Sequence, residues 1–189
     1  MNGIYFNKEY AQAEYEMHVN RTSRRKGAVG RSPLCYRVAR GIVAQASKKA
    51  GPYRILDFGC GKEPHLEGVV PGTLTHLPEG ISICPYDIGN NAHGMKPVGT
   101  YDLVILSNVL NVQPTDNLLK LVLLDAWFYV AEGGILLCNY PKKPRHCGVS
   151  DQQVWELLAA LSPCAKNSLG QYYLASPNKG VYQITKGSS

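Results

Sequence analysis

The ten residues RILDFGCGKE, at positions 54–63, join an apolar strand pattern to a glycine turn. Such a run predicts a short buried strand that ends at Gly59. Glycine at positions 59 and 61 lets the backbone approach a ligand more closely than a Cβ allows. The third glycine of the dinucleotide-binding fingerprint is absent, because Pro64 occupies its position. We interpret the stretch as a ligand-binding loop at the carboxyl end of a strand.

Strands and helices alternate on both sides of this stretch. Apolar runs predict strands at 54–58, 81–86, 101–107, 135–140, 171–175 and 180–185. Helical spacing predicts helices from Ser32-Pro33 to near Gly51, from 114 to a stop at Gly133-Gly134, and from 150 to 161. The alternation predicts an α/β fold, a doubly wound and mostly parallel sheet that ends in a C-terminal antiparallel hairpin. Ligands of such sheets bind at the carboxyl ends of the strands.

The length of 189 residues suits one domain, which we assign to residues 33–189, preceded by an arm at 1–32. No apolar run reaches the roughly 18 residues that a membrane-spanning helix needs. The N-terminus lacks the layout of a secretory signal. The cysteines are scattered without a C-x-x-C pair, so we expect reduced thiols in a cytoplasmic protein and no metal site. They are Cys35, Cys60, Cys84, Cys138, Cys147 and Cys164.

The net charge of +6 is concentrated in one segment. Nine Lys and Arg residues and no acid lie between Arg21 and Lys49, whereas the rest of the chain has 11 basic and 14 acidic residues. A basic segment of this kind is typical of a site for a polyanion. Tyr36 is its single aromatic residue, which favours contact with phosphates over base stacking. The alternative is a solvated arm without a partner. The residues expected to bind nucleic acid are Arg24, Arg25, Lys26 and Arg31.

Acidic and polar residues follow the predicted strands. Asp57 precedes the glycine turn, and Asp87 follows the second strand. A carboxylate at the end of that strand is placed to accept hydrogen bonds from two ribose hydroxyls. The strand YDLVILS at 101–107 leads into a polar loop that holds Asn108 and Asn111. We expect these groups to line the ligand site.

Four segments together resemble the class I methyltransferases that use S-adenosylmethionine. ILDFGCGKEP resembles their first motif, PYDIG resembles their ribose-binding acidic motif, and YDLVILSNVLNV resembles their fourth motif. EGGILL resembles the start of the strand that follows a helix in this family. The resemblance covers residues 54–141 and implies a Rossmann-like methyltransferase sheet with S-adenosyl-L-methionine as the cofactor.

The same resemblance implies the roles of individual residues. The implied cofactor-binding residues are Asp57, Gly59, Cys60, Gly61, Asp87, Ile88, Ser107 and Asn108. Within this set the glycines lie beside the methionine portion, Asp87 binds the ribose, and Ser107 and Asn108 lie near the sulfonium. Asp57 fixes the loop or binds the ligand amine. The catalytic candidates, which would line the acceptor site with the loop at 141–146, are Asn108, Asn111 and Tyr140; a buried core role is the alternative for the tyrosine.

The chain departs from the family pattern between Asp87 and Tyr101. Family members usually have a helix, a strand and another helix there, but only thirteen residues, 88–100, lie between the two positions. One parallel crossover alone needs about a dozen residues or more. We therefore expect the sheet to lack one edge strand.

The sequence indicates the methyl acceptor less clearly than it indicates the cofactor. Residues 20–33 and the sequence SNVLNV at 107–112 are similar to methyltransferases associated with DNA phosphorothioation, and with the basic segment they favour a nucleic-acid acceptor. No D-P-P-Y or N-P-P-Y sequence marks exocyclic-amine chemistry on DNA. Two alternatives stay open. In the first, the chain is a small-molecule methyltransferase and the basic arm is a lid over the cofactor. In the second, the chain is a non-catalytic protein that binds the cofactor or nucleic acid.

Overall fold

The chain is described from a computed structural model, which places residues 34–48, 51–60, 78–87, 95–113, 115–140, 149–161 and 181–187. The helices are α1 (Leu34–Ala46), α2 (Asp116–Phe128) and α3 (Asp151–Leu161), with a short 3-10 helix at Leu110–Val112. The strands are β1 (Tyr53–Phe58), β2 (Ile81–Tyr86), β3 (Tyr101–Leu106), β4 (Val130–Asn139) and β5 (Val181–Thr185).

The five strands form one sheet in the order β2-β1-β3-β4-β5. β1 pairs in parallel with β2 and β3, and β3 pairs in parallel with β4. β5 is antiparallel to β4. The predicted doubly wound α/β sheet, mostly parallel with an antiparallel C-terminal pair, is confirmed. From β1 the chain continues to β2 on one side of β1 and then crosses to β3 on the other side. The topological switch point therefore lies between β1 and β3.

Within the described ranges, β2 forms an edge of the sheet, in agreement with the expected loss of one edge strand. The predicted strand at 171–175 and the Ser32-Pro33 helix start lie outside the described residues. The arm at 1–32 lies outside them as well.

The prediction that Gly133-Gly134 stops the second helix is wrong. α2 already ends at Phe128, and β4 begins at Val130, so both glycines lie inside a strand. The Tyr101 N–H donates to the Tyr129 carbonyl at 2.8 Å, which draws the chain into the sheet directly after the helix. The pairing of β3 with β4 then shifts its register, and a Cβ on Gly134 would lie 2.9 Å from the Ala131 carbonyl oxygen. α1 likewise ends at Ala46, five residues before the predicted Gly51.

Alternating side chains of the strands build two cores, one on each face of the sheet. The face under α1 buries Ile55 of β1, Leu103 and Ile105 of β3, and Leu137 of β4. The face under α2 and α3 is larger, and its buried residues include Leu56, Val104, Leu106, Leu136, Leu118, Leu119, Val122, Val154 and Leu158. α2 is apolar around most of its surface, and one of its leucines, Leu124, is exposed.

Side chains satisfy the first backbone N–H groups of two helices. The Thr115 hydroxyl accepts from the Leu118 N–H at the start of α2. At α3, the Ser150 hydroxyl accepts from the Gln153 N–H at 3.2 Å, while the Gln153 side chain accepts from the Ser150 N–H at 2.8 Å. This reciprocal pair is a capping box, and it confirms the predicted start of this helix at 150–151.

Candidate functional site

The glycine turn after β1 is tied to the end of β2. The N–H groups of Gly59 and Cys60 both donate to the Tyr86 carbonyl, at 2.7 and 3.1 Å. Gly59 has a φ of +81°, a conformation that residues with a Cβ rarely adopt. The two predicted cofactor residues therefore begin a sharp turn at the carboxyl end of β1. Gly61, the second predicted glycine, lies outside the described residues.

The turn after β1 packs directly against the segment after β3. A Cβ built on Gly59 would lie only 2.5 Å from Cγ2 of Val109, so there is no room for a side chain at position 59. The structure thus brings together the two segments that the sequence marked, Gly59-Cys60 and Ser107-Asn108. They flank the topological switch point, which is where open α/β sheets bind their ligands.

Asp57 at the end of β1 is fully buried and faces α1. Both of its carboxylate oxygens lie within hydrogen-bond distance of the Tyr36 hydroxyl, at 2.9 and 2.8 Å. Burial raises the pKa of Asp57 to about 7, against the lowering effect of the Tyr36 hydrogen bond, and nearby Asp87 adds to the rise. Of the two roles expected for Asp57, this geometry favours fixing the loop, because the carboxylate is committed to a helix residue.

Asp87 occupies the position predicted for a ribose-binding carboxylate. It follows the last residue of β2, Tyr86, and is half-buried. Because Asp87 raises the pKa of Asp57 through its charge, the two carboxylates lie near one another at the ends of neighbouring strands. Ile88, the other residue expected there, lies outside the described residues.

Asn108 is exposed and has a φ of +59°, a left-handed conformation that asparagine tolerates better than most residues. Its backbone N–H donates to Oδ1 of Asn139, and its own Oδ1 accepts from Nδ2 of Asn139, each at 2.7 Å. Asn139 is the last residue of β4 and was missed by the sequence analysis. The signal that marks it is a polar residue at the carboxyl end of an otherwise apolar strand.

Two buried polar atoms beside Asn108 lack a partner within the described part of the chain. They are Oγ of Ser107 and Oδ1 of Asn111. Buried polar atoms in native proteins are almost always hydrogen-bonded to protein, water or ligand. Polar atoms without a hydrogen-bond partner at the switch point are suited to a polar ligand such as a nucleoside cofactor.

Tyr140, a predicted catalytic residue, is buried with a relative exposure of 1%. Its hydroxyl donates to the Val149 carbonyl at 2.8 Å, and its ring belongs to the core under α2 and α3. This geometry fits the alternative to a catalytic role, in which Tyr140 is a buried residue of the core. The loop at 141–146, which was expected to complete the acceptor site, lies outside the described residues.

Neither a metal cluster nor a membrane span is found in the ranges that the structure describes. No group of three or more His, Cys, Asp or Glu side chains there is arranged to hold a metal ion. None of the described helices combines the length and apolar character needed to cross a bilayer.

An open parallel sheet, a glycine turn after β1 and polar residues across the switch point define a nucleoside-cofactor protein of the Rossmann-like class. Residues 20–184 match the family described as methyltransferase domain, and the chain belongs to that family. The curated proteins include no significant sequence match.

Solved methyltransferase structures share the fold at low sequence identity. Magnesium protoporphyrin IX methyltransferase from Synechocystis PCC 6803 with bound SAM has a TM-score of 0.51 at 13% identity, over 98% of this chain and 100% of that one. The sugar N-methyltransferase KedS8 from Streptoalloteichus sp ATCC 53650 has a TM-score of 0.54 at 12% identity, over 92% and 93% of the chains. The plantazolicin methyltransferase BpumL in complex with SAH has a TM-score of 0.52 at 12% identity, over 96% and 90%.

The chain is an S-adenosylmethionine-dependent methyltransferase. S-adenosylmethionine supplies a methyl group activated by a positively charged sulfur, so the protein has to bind and orient its two reactants. The tight turn at Gly59 and the unmet polar atoms of Ser107 and Asn111 fit this cofactor. The residues that would hold it are those of the turn after β1, Asp87 after β2, and Ser107 and Asn108 after β3.

Proposed function

We propose that the chain transfers the methyl group to a nucleic acid, whose phosphates are held by the basic segment at 21–49. The observation that carries this proposal is the Tyr36–Asp57 hydrogen bond. It ties the first turn of α1 to the carboxyl end of β1, where the cofactor residues lie. The helix that begins at Leu34 is therefore held at the edge of the sheet where we place methyl transfer, and the remaining basic residues of the segment precede this helix in the sequence.

The described part of the basic segment supports the same proposal. α1 carries no acidic residue. Arg37 and Arg40 lie three residues apart on this helix, where Arg37 is exposed and Arg40 is half-buried. The exposed Lys48 follows the end of the helix. A helix with this charge pattern offers a basic surface that is suited to a polyanion.

A small-molecule acceptor is the second candidate, and structural similarity favours it. The similar structures include a sugar N-methyltransferase and a magnesium protoporphyrin IX methyltransferase. At 12–13% identity these proteins share the fold with this chain, and the acceptors in their names apply to those proteins only. In this alternative, the basic arm at 1–32 acts as a lid over the cofactor.

Transfer of radiolabelled methyl groups from S-adenosylmethionine decides between the two. Duplex DNA is the first acceptor to assay, because of the similarity to DNA phosphorothioation-associated methyltransferases, followed by RNA and a panel of sugars, porphyrins and amines. We expect label in nucleic acid. Asp87→Ala, which removes the proposed ribose-binding carboxylate, should weaken cofactor affinity by about tenfold to a hundredfold and so reduce labelling at low cofactor concentration. Label confined to small molecules would refute the nucleic-acid acceptor.

We also infer that the protein works in the cytoplasm. The described cysteines Cys35, Cys60, Cys84 and Cys138 are all free thiols. Free buried thiols suit a reducing compartment. Cell fractionation tests this inference, and recovery of the protein in an oxidising compartment would contradict it.

A further inference from the structure

Asn108 and Asn139 form a reciprocal pair across the carboxyl ends of β3 and β4. The Asn108 backbone N–H donates to Oδ1 of Asn139, and Nδ2 of Asn139 donates to Oδ1 of Asn108, each at 2.7 Å. The thiol of Cys35 in α1 also donates to Oδ1 of Asn139, at 3.3 Å. Three elements of the fold thus meet at one carboxamide.

The orientation of both carboxamides follows from the backbone N–H of Asn108, which is only a donor. An oxygen has to meet it, so Asn139 turns Oδ1 toward the N–H and Nδ2 toward the Asn108 side chain. Asn108 then has to present Oδ1 to that Nδ2. Its own NH2 group is therefore directed away from Asn139, and no described residue accepts a hydrogen bond from it.

The location of this NH2 group leaves it available to donate a hydrogen bond to a ligand. Asn108 is exposed, and the next residue, Val109, packs against Gly59 of the cofactor turn. The left-handed backbone at Asn108 is held by the Asn139 carboxamide on one side and the end of β3 on the other. S-adenosylmethionine offers a carboxylate, ribose oxygens and ring nitrogens, all of which accept hydrogen bonds.

We propose that Asn139 is a positioning residue for S-adenosylmethionine, which fixes Asn108 so that its NH2 donates a hydrogen bond to the cofactor. The proposal rests on the placement of the cofactor at this switch point. It does not depend on the acceptor, because it concerns the cofactor alone.

A double-mutant cycle tests the proposal, with the dissociation constants of S-adenosylmethionine and S-adenosylhomocysteine measured by calorimetry on the full chain. Asn108→Gly removes the donor and accepts the left-handed backbone. Asn139→Ala removes the support. We expect each single variant to weaken binding by about threefold to tenfold, the effect of one hydrogen bond. The double variant should bind no more weakly than Asn108→Gly, because Asn139 acts through Asn108.

Asn139→Asp separates positioning from a structural role. The new carboxylate still accepts from the Asn108 N–H, but it has no NH2 to offer. The Asn108 side chain is then expected to turn its own NH2 to the carboxylate and away from the cofactor. We expect a thermal midpoint above that of Asn139→Ala, but S-adenosylhomocysteine binding as weak as in that variant. The uncharged thioether of this probe limits the effect of the added charge.

Asn117→Ala, in the first turn of α2, is the matched control, and it should leave cofactor binding unchanged. Unchanged affinity in Asn139→Ala, or an equal further loss when it is added to Asn108→Gly, would overturn the proposal. Because calorimetry uses the cofactor without an acceptor, a failure to methylate nucleic acid would leave this result unaffected.

Discussion

The Tyr36 hydroxyl lies 2.9 and 2.8 Å from the two carboxylate oxygens of Asp57, and both residues are buried. One residue belongs to the first turn of α1, and the other to the end of β1 just before the cofactor turn. Burial and the charge of Asp57 both raise the pKa of Tyr36 above its usual range, so it stays a neutral donor. The pair therefore joins α1 to the strand that leads into the glycine turn, where we expect the cofactor to bind.

The raised pKa of Asp57 predicts a specific pH dependence of stability. The pKa is about 7 in the folded chain, against 3.8 as the ordinary value, so between these pH values only the folded state holds the proton. The contribution of Asp57 to the free energy of unfolding is thus greatest below about pH 4 and falls as the pH rises to about 7, with a slope of up to about 1.4 kcal/mol per pH unit. Asp57→Asn keeps an oxygen for Tyr36 and should abolish this contribution. Urea unfolding from pH 4 to 8 measures the difference.

Asp116→Asn is the control with the opposite sign. Its hydrogen bond to Lys120 lowers the pKa of Asp116, so the contribution of this residue is present above its ordinary pKa and is lost as the pH falls. Because Asp116 is exposed, the effect should be small. Identical pH dependence in Asp57→Asn and the wild type would contradict the raised pKa.

Tyr36→Phe and Tyr140→Phe separate a hydroxyl that supports the cofactor site from one that supports the core. Each substitution removes a buried hydroxyl, whose hydrogen bonds involve Asp57 and the Val149 carbonyl respectively. Both variants should lose about 1–3 kcal/mol in the free energy of unfolding. We expect only Tyr36→Phe to weaken S-adenosylmethionine binding. Methyl transfer should survive in Tyr140→Phe, and its loss with cofactor affinity intact would establish the catalytic role that the sequence suggested.

Gly59→Ala should destabilise the chain more than an alanine substitution at another glycine with positive φ, Gly133. Gly59 and Gly133 have similar φ values, +81° and +71°, so backbone strain of about 1 kcal/mol or more applies to both. Only at Gly59 does the added Cβ meet a side chain, 2.5 Å from Cγ2 of Val109; at Gly133 there is no atom within 4 Å. Gly59→Ala should therefore destabilise the chain further and weaken cofactor binding, as measured by thermal unfolding and calorimetry.

Val109→Ala supplies the test of this cause. Shortening the side chain at 109 makes room for the new methyl group, so it should recover part of the stability lost in Gly59→Ala. Equal losses in Gly59→Ala and Gly133→Ala, without any recovery, would show that Val109 is not the reason for glycine at position 59.

Local patterns in the sequence predicted the parts of the molecule that are set by periodicity and short motifs. The apolar runs located all five described strands, and the motif around Gly59 located the glycine turn at the end of β1. The partners of Asp57 and Asn108 were not predictable in this way. Tyr36 is 21 residues from Asp57, and Asn139 is 31 residues from Asn108, so only the assembled sheet brings them together.

The glycine pair at 133–134 shows why a local signal fails. Two adjacent glycines ordinarily indicate the end of a helix or a turn. Here the pairing of β4 with β3 determines their conformation, because Gly134 fits closely against the carbonyls of Ala131 and Tyr101. Tertiary contact therefore replaces the local preference, and the same contact explains why the helix ends earlier than its apolar pattern suggests.

Binding of duplex DNA is expected to depend steeply on salt. Each phosphate neutralised by a basic side chain releases counterions, with a slope of about −0.9 in log K against log salt concentration. Replacing Arg24, Arg25 and Lys26 together with alanine should flatten the slope by about the number of contacts removed, up to roughly three. Fluorescence anisotropy with labelled duplex DNA at several salt concentrations measures this slope.

Lys96→Ala provides the control for this last experiment. Lys96 is exposed and precedes β3, so it lies toward the amino end of that strand, opposite the cofactor edge. Its removal should leave the slope nearly unchanged, and the cofactor affinity of the triple variant should match the wild type, since a phosphate clamp makes no contact with the cofactor. Binding that is absent or independent of salt would favour the small-molecule acceptor. Loss of cofactor affinity in the triple variant would instead identify the arm as a lid, because only a segment closing over the cofactor is positioned to produce that loss.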